Sequence, residues 1–265
     1  MEETILFNHI PKTGGSTFRI ILNRIYGQEN VFFIKSTDLF GSLNLFRKLS
    51  SKNKNTYKVI AGHGAEYFSK FVNNPIRVTI LRDPAELFFS QYQYLKNSPN
   101  SIFQKEVSKL PSIEEYLDFA IENGQDNLMT RYLSNSIDWL FDLTKAIPEM
   151  ETEGDDLLQK AKKNLHQYQA VLNLSTFDAG VYVVHDLLGW KRIPRYRPSN
   201  KSDYSIGSNI SDQFLIRLKD ALRFDIELFQ YFLDEKIDIS FRVKKESKSF
   251  KLFKLRQGLI NKIAK

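Results

Sequence analysis

Short apolar runs alternate along this chain with longer stretches in which apolar residues recur every three or four positions. Residues 4–9 (TILFNH) are a β-rich run that breaks at Pro11 and enters the loop Lys12-Thr13-Gly14-Gly15. Residues 16–26 then carry Phe18, Ile21, Leu22 and Ile25, the i, i+3, i+4, i+7 spacing of a helix that buries one face. Further strand-like runs fall at 31–34, 58–61 and 78–81, with helical periodicity over 86–95. The middle of the chain reads as helical over 113–123, 127–134 and 154–166. Residues 170–174 (AVLNL) read as one more buried strand, and a helix over 178–188 stops at Gly189. Residues 192–211, rich in Pro, Arg, Ser, Asn and Gly, read as a long loop, and a loop of that length in a compact domain is more often functional than idle. Ser211-Asp212 is a plausible cap for a helix running through Phe214, Leu215, Leu218, Leu222, Ile226 and Phe229 to about Leu233. Strands alternating with helices predict an α/β fold with a central, mainly parallel sheet flanked by helices. With no internal repeat, residues 1–241 are expected to form one domain and 242–265 a basic tail.

Composition narrows the functional classes. The chain has 265 residues, 42% hydrophobic and 26% charged, enough apolar material for a sizeable core. No window of about 18 residues is apolar and free of charge, so no membrane-spanning helix is expected. The start, MEETILFNHIPK, has no basic segment before its apolar run, so no secretory leader is expected either. Cysteine is absent, which excludes disulfides, thiolate metal sites and a cysteine nucleophile, and fits a reducing, cytoplasmic setting. The net charge of +7 divides unevenly: residues 242–265 hold nine basic residues and one acid, a net of +8, which leaves residues 1–241 at −1. A uniformly basic nucleic-acid binder is therefore disfavoured. Within the tail, Leu252, Leu255, Leu259 and Ile263 follow near-helical spacing among lysines. Such a helix packs on the body, lies peripherally on an anionic membrane surface, or docks a polyanionic acceptor.

The most informative stretch is Asn8-His9-Ile10-Pro11-Lys12-Thr13-Gly14-Gly15-Ser16-Thr17. A tight loop between a strand and a helix, with two glycines and several hydroxyls, suits an oxyanion. Gly14 and Gly15 let the backbone approach, N–H groups at the helix start point at the anion, and the helix dipole favours negative charge. Lys12 adds a point charge, and Thr13, Ser16 and Thr17 offer hydroxyls. The plain alternative is a glycine-rich turn that only starts a helix. It is not the Walker loop of common ATPases and GTPases, which needs glycines one and six residues before the lysine; here those positions are Pro11 and Leu6.

PKTGGST directly after the first strand resembles the 5′-phosphosulfate loop of sulfotransferases that use 3′-phosphoadenosine-5′-phosphosulfate (PAPS). Residues 78–81 run into Arg82-Asp83-Pro84, with Ser90 on the next helix, which is similar to the 3′-phosphate motif of the same family. An Arg fork can clamp a phosphate bidentately, and Pro84 suits a helix start. Gly62-His63, Asn127-Leu128 with Thr130-Arg131-Tyr132-Leu133-Ser134, and Arg197-Pro198-Ser199 after Leu188-Gly189-Trp190 follow in the family's order. They resemble the branch containing carbohydrate sulfotransferases of the heparan-sulfate 2-O type and their bacterial relatives, over roughly residues 4–235. Some positions depart from that branch: Leu172 and Ser175 stand where relatives often have Gly and Glu, and Ala61-Gly62-His63 replaces a paired H-G-H.

The resemblance implies a nucleoside-kinase-like sulfotransferase fold, PAPS as donor, no metal, and a hydroxyl-bearing acceptor, a saccharide by preference. Lys12 would meet charge developing on the leaving phosphate. His63, at a strand end where open α/β sheets bind ligands, is the candidate general base, against a purely structural histidine. The phosphate loop (Lys12, Thr13, Gly14, Gly15, Ser16, Thr17) and Arg82, Ser90, Arg197 and Ser199 would hold the donor. The stretch from Arg197 through Lys201 is read either as closing over the nucleotide or as a solvated basic loop. Arg131 faces either the acceptor or an acidic partner, with the acceptor preferred, and Trp139 and Trp190 are expected to pack. Two alternatives stay open: a nucleotide-dependent kinase on the same scaffold, and a non-catalytic polyanion-binding protein.

Overall fold

The computed structural model describes residues 3–99, 101, 103–142, 144–198, 210–243 and 247–263. The described elements begin with β1 (Ile5–Asn8), α1 (Gly15–Tyr26), β2 (Val31–Phe33), α2 (Leu39–Lys48), α3 (Ser51–Lys54), β3 (Val59–Gly62) and β4 (Ile76–Leu81). Then come α4 (Pro84–Asn97), α5 (Gln104–Val107), α6 (Ile113–Glu122), α7 (Leu128–Leu133), α8 (Asp138–Phe141) and α9 (Met150–Leu165). The chain closes with β5 (Ala170–Asn173), α10 (Phe177–Leu187), α11 (Asp212–Ala221), α12 (Arg223–Asp234) and α13 (Lys248–Ile263). It groups into two compact units: Met1–Leu81 with Leu165–Lys201 and Phe232–Lys265, and Arg82–Asn164 with Ser202–Tyr231.

The first unit is the α/β body. Its five strands run in the order β2-β3-β1-β4-β5, every adjacent pair parallel. Register is set by buried apolar pairs such as Ile5 opposite Val59, Phe7 opposite Val78, and Val78 opposite Ala170. Ile5 and Phe7 of β1 join Phe18, Ile21 and Leu22 of α1 and Val181 and Val184 of α10 in one core. Phe32 of β2 belongs to a separate aromatic cluster with Phe46 of α2, Tyr57 and Phe68. Burial on both faces is why these strands read as apolar runs rather than alternations. From β1 the chain passes to the edge strand β2, returns to β3 between them, and then crosses to β4 and β5 on the other side. The carboxyl end of β1 therefore lies at the reversal of strand order, where open parallel sheets bind ligands.

The second unit is helical. Phe88, Phe89, Tyr92 and Leu95 of α4 share a core with Tyr116, Leu117 and Ala120 of α6 and Phe214, Leu218 and Leu222 of α11–α12. The long helix expected up to Leu233 is instead two helices, α11 and α12, with the break at Leu222.

The tail packs on the sheet unit through a face different from its leucine stripe. Phe250 and Phe253 of α13 are buried against the Tyr182 ring of α10, with centroids at 5.1 and 5.8 Å. Lys254 pairs with Asp178 at 3.2 Å, and the buried Gln257 donates to the Tyr196 carbonyl. Leu252 and Leu255, placed in the apolar stripe by spacing alone, are 48% and 67% exposed. The aromatic residues win the inward face because each buries more apolar area than a leucine. Phe253→Ala is expected to cost about 3 kcal/mol, roughly 6–12 °C of melting temperature for a chain of this size. Differential scanning calorimetry checks this, and an unchanged transition would mean that α13 does not pack stably on the body.

Candidate active site

The loop between β1 and α1 is built around two contacts that only glycine permits. Gly14 lies at φ +87°, and a β-carbon there would come within 2.6 Å of the Leu174 side chain. At Gly15 a β-carbon would fall 1.9 Å from the His9 ring. The Thr13 hydroxyl, fully buried, donates to the Ile10 carbonyl at 2.9 Å and closes the loop on itself. That hydroxyl serves the loop's shape, while Ser16 stays exposed and Thr17 is buried in the first turn of α1. Lys12 holds φ 60°, the left-handed region, which costs a β-carbon-bearing residue about 1–2 kcal/mol.

The start of α1 has no side-chain cap. Helices α2, α3, α4, α6 and α11 each begin on an Asp or Ser whose side chain accepts an N–H of the first turn. Helix α1 has Gly14 at that position, no side-chain cap and no acid in its first turn. Among the described residues no side chain caps its N-terminal N–H groups, so these and the positive end of its dipole suit an anionic ligand, with Lys12 in the loop before them. The residues present therefore fit an anionic phosphate or phosphosulfate group.

Two histidines stand beside this loop. His9 follows β1, donates its backbone N–H to the Gly62 carbonyl at 3.0 Å, and is buried. His63 follows β3, is half-buried, and stacks on His9 with centroids 4.6 Å apart and planes 21° apart. The His63 Nδ1 lies 2.6 Å from the His9 carbonyl oxygen. A carbonyl only accepts, so Nδ1 carries the hydrogen and Nε2 is the basic nitrogen. Burial pushes the His63 pKa down to about 4; the bond to the His9 carbonyl opposes this, and the Arg19 charge reinforces it. His9 is held well below its ordinary value, first by burial and then by the charges of His63, Arg19 and Lys12. Both imidazoles are neutral near pH 7. His9, immediately before the loop, packs against Gly15 and so shapes it. The stacking on His63 had no signal in the sequence.

The remaining candidates are distributed over both units. Within the helical unit, Asp83 caps α4 through Glu86 N–H at 3.0 Å, and Pro84 occupies its first turn. Arg82, immediately before the cap, reaches Glu86 at 3.3 Å, and Ser90 is buried two turns into the helix. Arg197 is exposed on a segment of the sheet unit anchored by the buried Tyr196, whose hydroxyl donates to Asp178. Ser199, Asn200 and Lys201 lie outside the described residues.

The preference for Arg131 facing an acceptor is corrected. Arg131 is 1% exposed, pairs with Asp126 at 2.7 Å, and donates to the Asp126 and Pro148 carbonyls. Its neighbours are equally structural: Asp225 accepts the N–H groups of Met129 and Thr130 and the Thr130 hydroxyl, capping α7 from α12. The side chains of Thr130 and Arg131 are committed inside the protein, in a segment that is buried throughout. Trp190, as expected, packs, with its indole N–H donating to the Tyr26 hydroxyl at 2.9 Å.

Sequence reasoning passed over one further feature. An open cleft of about 310 Å³ runs beside α1, lined by Ser16, Arg19, Ile20, Asn23 and Phe33. Its signal was the i, i+3, i+4, i+7 spacing of Ser16, Arg19, Ile20 and Asn23 opposite the buried face of α1.

Among the described residues no helix is long and apolar enough to cross a membrane. No curated protein matches the chain significantly. A family model described as the sulfotransferase family matches residues 1–232, which takes in the whole of the helical unit and the sheet unit up to Phe232. With an uncapped, lysine-flanked helix start at the reversal point of a parallel sheet and that match over most of its length, the chain belongs to the sulfotransferase family.

Proposed function

We propose that this protein moves a sulfuryl group from PAPS to a hydroxyl of a saccharide acceptor in one in-line step, with His63 as general base. The observation that carries this reading is the hydrogen bond from His63 Nδ1 to the carbonyl of His9, the residue that abuts Gly15. One short piece of chain thereby shapes the anion loop and orients the base.

PAPS supplies an activated sulfur joined to the 5′-phosphate through a bridging oxygen. The acceptor oxygen forms its bond to sulfur as the bond to that bridging oxygen breaks. His63 Nε2 takes the hydroxyl proton, and the charge left on the phosphate is met by Lys12 and the N–H groups starting α1. Gly14 and Gly15 give that phosphate its approach; Thr13, Ser16 and Thr17 shape the loop and first turn around it. Arg82 and Ser90 hold the 3′-phosphate, and Arg197 and Ser199 belong to the segment that covers the nucleotide. The absence of cysteine supports a cytoplasmic setting. The outer face of α13, with Leu252 and Leu255 among lysines, supports peripheral contact with an anionic membrane.

The direct test is transfer of labelled sulfate from PAPS to a panel of saccharides, with a thermal shift on 3′,5′-adenosine bisphosphate alongside. Sulfated product together with stabilisation is the expected result. Turnover of ATP with no use of PAPS would replace the reading by a kinase. For the 3′ site, Arg82→Ala is expected to weaken 3′,5′-adenosine bisphosphate about tenfold to a hundredfold, the worth of a charge-assisted hydrogen bond. Adenosine 5′-phosphate should be nearly unaffected. Equal losses for the two nucleotides in calorimetry would remove Arg82 from that site.

A further inference from the structure

The cleft beside α1 contains a cation, Arg19, that no carboxylate among the described residues neutralises. The Arg19 guanidinium lies over the Phe33 ring, 4.5 Å from its centroid, and its Nε is buried without a hydrogen-bond partner. Among the described residues no carboxylate pairs with it. One turn on, the Asn23 side-chain oxygen is also buried without a partner. Two exposed arginines do have a carboxylate partner, Arg217 with Asp118 at 2.6 Å and Arg223 with Asp220 at 3.8 Å. A half-buried guanidinium with no counter-charge is costly unless something else supplies one. Stacking on Phe33 fixes the plane of the fork, as bidentate recognition of a carboxylate, sulfate or phosphate requires.

Position decides which ligand this serves. Ser16, Arg19 and Asn23 succeed one another along one face of α1, so the cleft extends roughly 10 Å from the anion loop down the helix. The donor phosphate belongs at the helix start. The cleft leads away from it, past an arginine close enough to His63 for its charge to be felt there.

We propose that Arg19, with Phe33 beneath it and Asn23 one turn on, is a binding subsite for an acidic group on the acceptor. The acceptor is thus a hydroxyl compound that carries a carboxylate, sulfate or phosphate within one sugar ring of the reacting oxygen. This rests on the sulfotransferase reading above.

The test uses the full-length protein saturated with 3′,5′-adenosine bisphosphate and labelled with 15N-arginine. Methyl glucuronide and methyl glucoside, which differ by a carboxylate for a hydroxymethyl group, are titrated while the Arg19 Nε–H resonance, assigned through Arg19→Gln, is followed. The expected result is a saturable shift with methyl glucuronide and at least tenfold weaker binding of methyl glucoside. In Arg19→Gln that preference should vanish while adenosine bisphosphate affinity stays unchanged. Arg19→Lys, which keeps charge but not the planar fork, should recover only part of it. Equal response to both sugars, no response to either, or a preference that survives Arg19→Gln would overturn the subsite. Those results leave the donor reading standing if adenosine bisphosphate still binds, whereas failure of the nucleotide to bind at all would count against the donor reading instead.

Discussion

Replacing Lys12 by alanine is expected to lower sulfuryl transfer by a factor of about 10²–10³ or more, the effect of removing one preorganised charge-stabilising group from a transition state. Lys12 stands at φ 60° in the loop that leads into an uncapped helix start. Alanine keeps the β-carbon and so the same backbone strain, which confines the change to the ammonium group. Lys12→Gly relieves that strain of about 1–2 kcal/mol, so it should fold at least as well as the parent and be as inactive as Lys12→Ala. The pair separates chemistry from folding: low turnover with an unchanged or raised melting temperature in both variants is the expected pattern. Arginine is not an equivalent replacement, because its longer planar fork cannot act as a compact point charge on a single bridging oxygen. Wild-type turnover in Lys12→Ala would remove the loop from the chemistry, whatever else it binds.

What was legible in the sequence follows from how local the signals are. Strands β1, β3, β4 and β5 appear as apolar runs because a parallel sheet covered on both faces needs side chains of one kind throughout. The anion loop is legible because its glycines, its lysine and the following helical periodicity are contiguous. Helix α2 was missed although Asp38 caps it and Arg47 and Lys48 fill its last turn, because only Leu39, Ser42 and Phe46 are buried and the exposed Phe40 and Leu45 blur the periodicity.

Side-chain roles that depend on long-range partners were not legible at all. Arg131 looked free to meet a substrate until Asp126 and the Pro148 carbonyl enclosed it. The α13 stripe of leucines was a fair reading of spacing, but the choice of inward face was made by Tyr182, far earlier in the chain. The His9–His63 stack joins residues 54 apart. No local pattern encodes that distance, although each histidine on its own marked a strand end.

That stack leads to the second large effect. His63→Ala is expected to reduce transfer by about 10²–10⁴, the usual worth of a positioned general base, with affinity for 3′,5′-adenosine bisphosphate retained. The pH profile distinguishes a base from a merely structural histidine. A histidine of ordinary pKa would give an acid limb in kcat/KM near 6.5, whereas His63, pushed down to about 4 by burial, stays neutral and competent well below that. The rate of the free enzyme should therefore be flat from pH 8 to about 5 and fall only as pH approaches 4. Stability moves in the same range with a definite sign. Both His9 and His63 are lowered in the fold, so the unfolded chain binds more protons as pH drops through 6.5. The stability due to their neutral forms is complete above about 6.5 and is lost as pH falls, for His63 progressively toward 4. Melting temperature should thus decline over the interval in which kcat/KM remains flat. Activity assayed at low temperature, where the fold persists, keeps the two effects apart. A rate that titrates near 6.5, or a His63→Ala variant as active as the parent, would assign the proton to another group and leave His63 as a spacer for the loop.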